Sequence, residues 1–186
     1  CFVLFPLMMG LAALAEPVVR LLLTDKWIET VPLIRILCFA WIWWPASNMS
    51  WQLLNAKHRS DYCLKAEIIK KVIAISILVF SLFWGIKVVC IGMLLYYVAD
   101  VYVITVFSAR VLPGVTFASE MKSMLPILAY AAVMGTGVYL LDHMISSDAV
   151  SLAAGTAAGI VLYMAVTLLT GSREAWYLLE MIKKRR

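Results

Sequence analysis

Long apolar stretches alternate with short polar segments along the whole chain. A helix needs about 20 mostly apolar residues to cross a bilayer. Six stretches approach or exceed that length without the alternation of every second residue that marks a barrel strand. They are residues 2–23, 31–54, 68–84, 88–107, 123–141 and 149–170. The pattern predicts an all-α integral membrane protein with six transmembrane helices.

Composition agrees with this prediction. Hydrophobic residues make up 64% of the chain and charged residues 15%, whereas soluble proteins carry about 25% charged residues. The chain begins at Cys1 inside an apolar run and without an initiator Met, so we expect it to be the C-terminal part of a longer protein. Its four cysteines have no metal-ligand spacing and are expected to be small apolar fillers.

The charge pattern predicts the topology. Segment 55–71 carries five Lys or Arg residues against two acidic ones, and loops with such an excess stay in the cytoplasm. Lys70 and Lys71 begin the third span, and we count them with this loop because their side chains can reach the headgroups. Alternation then places twelve of the 16 Lys and Arg residues inside and two outside, with Arg20 and Arg35 in spans. The C-terminus is therefore predicted to be cytoplasmic.

Asp100 is a charged residue past the middle of the fourth predicted span. Charged side chains within a bilayer are costly and are functional candidates. Tyr96 and Tyr97 precede Asp100 by one helical turn, close enough for hydrogen bonding. Asp100 is thus either a cation, proton or polar-headgroup site facing a cavity, or a protonated or tyrosine-bonded carboxyl that only holds helices together.

Arg20 and Arg35 lie near the predicted outer ends of the first two spans. They could form a cationic vestibule for a phosphate-bearing substrate, because guanidinium groups match phosphate geometry. The simpler alternative is that both reach the lipid headgroups. Glu16, four residues before Arg20, is placed to pair with it.

The second predicted span has aromatic residues and a proline at its middle, where interfacial belts do not explain them. A polar stripe follows at spacings of four and three. A helix kinked at this proline could line a path for a sugar, or the amides could hold packed helices together. The residues are Trp41, Trp43, Trp44 and Pro45, then Asn48, Gln52 and Asn55.

Two further observations limit the possible functions. Gly155 and Gly159 form a GxxxG motif, which is typical of close helix packing. The chain shows no nucleophile with its base, no phosphate-binding loop and no metal cluster, so we expect no catalytic residues, metal or cofactor, and no nucleic-acid partner. The tail 171–186 ends in four basic residues and is predicted to be an amphipathic cytoplasmic helix.

The segment 54–71 resembles bacterial polysaccharide flippases of the Wzx type, in the multidrug/oligosaccharidyl-lipid/polysaccharide (MOP) exporter superfamily. Family members usually carry Gly where this chain has His58. The resemblance extends weakly over nearly the whole chain. Its matching residues are Leu54-Asn55-Ala56, Arg59-Ser60-Asp61, Leu64 to Lys71, Phe5-Pro6, Leu21 to Trp27, Pro32 to Leu37, Gly92, Leu112-Pro113-Gly114 and Pro126.

This resemblance implies the C-terminal part of a MATE/MOP-like helical bundle of about fourteen helices in the bacterial inner membrane. Residues 1–110 would supply four helices of the C-terminal lobe, and residues 111–170 two additional terminal helices. Such proteins move undecaprenyl-diphosphate-linked oligosaccharide across the membrane by alternating access, and their central cavity is typically cationic. Membrane lipid and other polysaccharide-assembly proteins would be further partners.

Three other functions compete with this prediction. The chain could belong to a cation-coupled drug or metabolite exporter of the same superfamily, with Asp100 as the coupling site. It could be a non-transporting scaffold for a glycan-assembly complex. An O-antigen polymerase or ligase is a third alternative, but such enzymes generally need a sizeable external loop, and the predicted outside connections here are short.

Overall fold

The computed structural model describes residues 2–111, 116–145 and 147–169, without the side chains of 168 and 169. These residues form helices and short connections, and no strand occurs among them. Eight α-helices and one 3₁₀ helix, Asp25–Thr30, follow in order. The α-helices are α1 (Leu4–Ala13), α2 (Ala15–Leu23), α3 (Val31–Trp41), α4 (Trp44–Ala56), α5 (Ser60–Leu82), α6 (Ile86–Val111), α7 (Phe117–Met144) and α8 (Asp148–Leu169).

Two prolines determine where two of the predicted spans are interrupted. Proline lacks an N–H, and its ring clashes with the carbonyl four residues earlier, so a helix tends to break there. Helix α1 ends at Ala13, four residues before Pro17, and α3 ends at Trp41, four residues before Pro45. Before Pro45, two turn residues separate α3 from α4, which starts at Trp44. The stretch 2–23 is not one straight helix, since α1 and α2 meet at 69°.

Within the described residues, four helical segments are long and apolar enough to cross a membrane: Asp25–Ala56, Ile86–Val111, Phe117–Met144 and Asp148–Thr167. The bent α1–α2 pair would make a fifth if it counts as one span. Helix α5 is not among them because charged residues crowd its first half. Many large apolar side chains are exposed, including Phe80 on α5 and Phe83 just after it, as expected for helices surrounded by lipid.

The described residues divide into two compact units. Unit 1 is Pro32–Leu125, and unit 2 combines Phe2–Val31 with the residues from Pro126 onward. In unit 1, α5 and α4 both pack against α6. Leu54, Cys63, Ala66, Ile104 and Phe107 form its buried cluster.

In unit 2, α8 packs against α1 and α2. A buried cluster of Ala13, Leu14, Met134, Val138 and Tyr163 fills the space beside it. A cavity of about 560 Å³ runs along these helices, and nearly all of its lining is apolar.

The GxxxG motif lies in the packed interior of unit 2. A Cβ added at Gly155 would come within 2.7 Å of Leu14 Cδ2, and one at Gly159 within 3.2 Å of Val138 Cγ2. Because these contacts leave almost no room for a side chain, the prediction that the motif serves close helix packing is confirmed.

The connection between α4 and α5 turns at His58. His58 has φ 54°, in the left-handed region. Glycine occupies that region without a steric penalty, while His pays one.

Some sequence predictions fall outside the described residues, namely the amphipathic tail 171–186 and the segment Leu112-Pro113-Gly114. The division into residues 1–110, 111–170 and 171–186 remains a prediction.

Candidate functional site: a polar pocket in unit 1

Asp100 is buried in unit 1, where its carboxylate joins three helices. Only 7% of the residue is exposed. Lys70 Nζ on α5 lies 2.7 Å from Asp100 Oδ1, and Ser47 on α4 donates a short hydrogen bond to Oδ2. Asp100 itself is on α6. The carboxylate therefore holds α4, α5 and α6 together through one ion pair and one hydrogen bond.

The sequence did not identify Lys70 as the partner of Asp100. The sequence predicts that Lys70 belongs with the cytoplasmic loop, with its side chain directed to the headgroups. In the structure it turns inward, and the residue is 7% exposed. The physical reason is Asp100, since an unpaired buried carboxylate is far more costly than a paired one. Among the described residues, the partners of the Asp100 carboxylate are Lys70 and Ser47, and no hydrogen bond joins it to Tyr96 or Tyr97.

A second carboxylate shares the Lys70 ammonium group. Glu67, one turn earlier on α5, lies 3.7 Å from Lys70 Nζ and 3.3 Å from Lys71 Nζ. The Lys70 ammonium also sits 5.2 Å from the centre of the Trp51 ring, a distance at which a cation is attracted to an aromatic face. Lys70 thus has two acidic neighbours and one aromatic neighbour.

These groups line a polar pocket of about 310 Å³ in unit 1. Three helices supply its walls, each through residues spaced to share one helical face. Helix α4 gives positions at i, i+3, i+4 and i+7, α5 gives i and i+3, and α6 gives i, i+1 and i+4. The lining residues are Trp44, Ser47, Asn48 and Trp51 from α4, Glu67 and Lys70 from α5, and Tyr96, Tyr97 and Asp100 from α6.

An aromatic row stands beside the pocket. The ring of Trp41 lies 6.3 Å from that of Trp44 and 5.6 Å from that of Tyr97, and Tyr97 lies 5.6 Å from Tyr96. These separations fall in the range of favourable aromatic pairs. Because Pro45 interrupts the helix between Trp41 and Trp44, the end of α3 and the start of α4 both contribute to the row.

Comparison with known proteins adds to this picture. Residues 1–32 match the family described as "Polysaccharide biosynthesis protein". A protein of Klebsiella pneumoniae described as "Uncharacterized membrane protein in cps region" is 32% identical over 84 residues. These similarities support a membrane protein of polysaccharide biosynthesis. The second alignment covers 45% of this chain and 17% of the relative, so the chain matches less than a fifth of that protein's length. No solved structure matches the chain.

The structure brings only some of the candidate site residues together. Trp44, Asn48 and Asp100 lie together in the pocket lining. Gln52 is exposed on α4 and is outside that lining. The stripe of amides at 48, 52 and 55 therefore overlaps the pocket only at Asn48, because the pocket-facing surface of α4 runs through Trp44, Ser47 and Trp51 instead.

The two arginines of the predicted vestibule belong to different units. Arg20, in unit 2, pairs with Glu16 at 2.8 Å as predicted and lies 3.8 Å from Asp148. Because two carboxylates compensate its charge, Arg20 has less attraction left for a phosphate. Arg35 is in unit 1, where it is half-buried and has interaction partners of its own.

Glu120 is a half-buried carboxylate in unit 1 that the sequence does not single out as a candidate. Glu120 accepts hydrogen bonds from Ser50 and, at 2.8 Å, from Thr105 Oγ1. Ser108 Oγ donates to the backbone carbonyl of Ser50 at 3.3 Å. Hydroxyl side chains on facing helices are the sequence signal that could have indicated this cluster.

The remaining chemical groups of the described residues give no sign of a metal site. None of their His, Cys, Asp and Glu side chains gather in threes that could hold a metal ion. Cys38, Cys63 and Cys90 are buried free thiols. Burial, followed by the nearby Asp61, raises the pKa of the Cys63 thiol, while Lys70 acts in the opposite direction. The neutral thiol is therefore favoured, in keeping with the predicted filler role.

Proposed function

We propose that this chain is part of a Wzx-type flippase of the MOP superfamily, which moves undecaprenyl-diphosphate-linked oligosaccharide across the bacterial inner membrane for cell-surface polysaccharide biosynthesis. The six-span arrangement with a cytoplasmic C-terminus belongs to this proposal. So does the absence of covalent chemistry on the substrate, which makes the protein a transporter and not an enzyme.

The polar pocket of unit 1 is the observation that carries the proposal. A Lys–Asp pair buried among apolar helices is costly, and in membrane proteins such residues face one another or a water-filled cavity on a substrate pathway. This pair lines a pocket that also presents Asn48 and the Trp44 ring. Amide groups bond to hydroxyls, and aromatic faces cover the apolar faces of sugar rings. The combination suits a glycan.

The comparisons support the same proposal from another direction. The match to a polysaccharide biosynthesis family and the membrane-protein relative favour a membrane step in glycan assembly. Transport would follow from alternate opening of a central cavity to the two sides of the membrane, as in transporters built from repeated helical lobes. The pocket would form one wall of that cavity.

Glycan export in a flippase-null bacterium tests the proposal with the full-length protein. Wild type is expected to restore surface polysaccharide and to clear the trapped lipid-linked precursor. Asp100→Ala and Asn48→Ala, at matched expression in the membrane, are expected to reduce export. Asp61→Ala is the matched control, because Asp61 is an exposed, ion-paired aspartate outside the pocket.

A cation-coupled drug or metabolite exporter remains the second candidate, since Asp100 is a buried acidic group. Its pairing with Lys70 argues against this candidate, because a cation would have to displace the ammonium group. Wild-type protein that leaves the precursor trapped but lowers accumulation of cationic dyes would overturn the flippase proposal in favour of the exporter.

A further inference from the structure

We infer that the polar pocket of unit 1 binds an uncharged sugar ring of the transported glycan, and that acidic sugars and the diphosphate are bound elsewhere. This inference rests on the proposed function and names the substrate class for this pocket. A pocket for a neutral sugar differs from the cationic cavity that the family resemblance implies.

The charges in the pocket disfavour an anionic ligand. Its lining contains the carboxylates of Asp100 and Glu67 and the ammonium group of Lys70. Lys70 is 2.7 Å from Asp100 and 3.7 Å from Glu67, so its charge is already compensated. Lys71 pairs with Glu67 from outside the lining, and its side chain is 66% exposed. An anionic ligand would meet two carboxylates and no uncompensated cation.

The aromatic residues of the pocket favour a sugar ring as the ligand. Trp44 lines the pocket and is 43% exposed, so it presents ring surface to the pocket instead of filling the protein core. Trp41, which is 41% exposed, lies outside the lining with its ring 6.3 Å from that of Trp44. A flat aromatic surface next to polar groups is the combination that binds amphipathic ligands. A sugar ring has apolar C–H faces and hydroxyl edges. Its face can lie on Trp44 while its hydroxyls meet the Asn48 amide and the Glu67 carboxylate.

The size of the pocket limits what part of the substrate it can bind. Its volume of about 310 Å³ lies at the lower end of the roughly 300–1,000 Å³ found for small-molecule sites. That volume suits a small polar unit and is too small for a whole oligosaccharide with its lipid. The pocket therefore recognises one part of the substrate, and its charge makes that part a neutral ring.

Two methyl glycosides with the same ring provide the probes. Methyl glucoside is uncharged, and methyl glucuronide carries a carboxylate where the glucoside has its hydroxymethyl group. Binding to the purified full-length protein in nanodiscs is measured by tryptophan fluorescence and by saturation-transfer NMR. Wild type is expected to bind the glucuronide at least about tenfold more weakly, because like charges placed together are strongly unfavourable. Trp44→Ala is expected to weaken glucoside binding by up to about tenfold.

A matched pair of variants tests the charge argument without disturbing the buried ion pair. Asn48→Lys adds an uncompensated cation to the pocket lining, whereas Gln52→Lys adds the same charge one turn further along α4, outside the lining. We expect Asn48→Lys to shift the preference toward the glucuronide by about tenfold and Gln52→Lys to leave it unchanged.

Several outcomes would overturn the inference. The first is that wild type binds the glucuronide as tightly as the glucoside or more tightly. The second is that Asn48→Lys and Gln52→Lys shift the preference equally. The third is that Trp44→Ala leaves glucoside binding unchanged or that no glucoside binding is detected. Export in the flippase-null cell separates this inference from the proposed function. Restored export with no preference for the neutral ring refutes the inference alone. If wild type fails to restore export but still prefers the glucoside, and Asn48→Lys still shifts that preference toward the glucuronide, the flippase proposal is refuted and the sugar-binding pocket stands.

Discussion

The two compact units bury different kinds of side chain. Unit 1 buries a lysine, an aspartate and several hydroxyl side chains, and it leaves a small polar pocket among them. Unit 2 fills its interior mainly with apolar side chains and with glycines that let helices approach closely, and its buried polar side chains among the described residues are the hydroxyls of Ser151 and Thr167. No charged residue is buried among the described residues of unit 2, so the buried charged groups of unit 1 are not a requirement of helix packing. Their presence is the physical argument for placing function in unit 1.

Removing one charge from the buried pair is expected to have the largest effect on stability. Asp100→Ala leaves Lys70 buried with only Glu67, at 3.7 Å, as a carboxylate partner. Removing one partner of a buried ion pair costs about 3–5 kcal/mol. The free energy of unfolding of the full-length protein, from denaturant titration in detergent, measures this loss. The double variant Lys70→Met with Asp100→Ala is expected to recover much of it, because no buried charge then remains unpaired.

Asp61→Ala is the control for this prediction. Asp61 pairs with Arg59 at 3.3 Å, but its side chain is 52% exposed, and exposed pairs contribute about 0–1 kcal/mol. If Asp100→Ala cost no more than Asp61→Ala, the contrast between the two interiors would lose its energetic basis.

Overpacking unit 2 is expected to have the next largest effect. Gly155→Leu forces a side chain against Leu14 and Val138, which already lie within 3.4 Å of a Cβ at this position. Inserting atoms into a packed core typically costs about 1–3 kcal/mol. Thermal unfolding in detergent gives the comparison with Ala157→Leu, which places the same side chain on an exposed face of α8. Equal melting temperatures for the two variants would show that the interior of unit 2 has room to spare.

The smallest expected effect concerns the backbone between α4 and α5 in unit 1. His58→Gly should raise the free energy of unfolding by about 0.5–1 kcal/mol, because glycine accepts a φ of 54° without steric cost. His143→Gly is the opposing control. His143 lies in the last turn of α7, where glycine lowers helix stability by up to about 1 kcal/mol. A loss of stability in both variants would contradict the strained turn.

Features that depend on local chemistry could be predicted from the sequence. The helical fold follows from apolar stretches, and the break before Trp44 follows from the effect of Pro45 on the carbonyl of Trp41. The GxxxG motif indicated close packing because small residues at that spacing leave a groove on a helix. Asp100 was recognised as important because the charge of one residue within an apolar run is visible without knowledge of its neighbours.

Features that depend on contacts between helices could not be predicted. Lys70 was assigned to the lipid headgroups because nothing in its own segment shows that Asp100, on another helix, lies 2.7 Å away. Gln52 was grouped with Asn48 by spacing alone, whereas the rotation of α4 places Ser47 and Trp51 toward the pocket instead. Glu120 was overlooked for the same reason, since its partners Ser50 and Thr105 come from two other helices.

The Lys70–Asp100 pair also constrains how the chain is inserted into the membrane during synthesis. Lys70 leaves the ribosome well before Asp100, and α5 carries too many charged residues to qualify as a span by hydropathy. Alone in lipid, its lysine would have no buried carboxylate from α6 to compensate it. Insertion of α5 into a bilayer is therefore expected to depend on α6, which supplies the carboxylate that compensates its lysine.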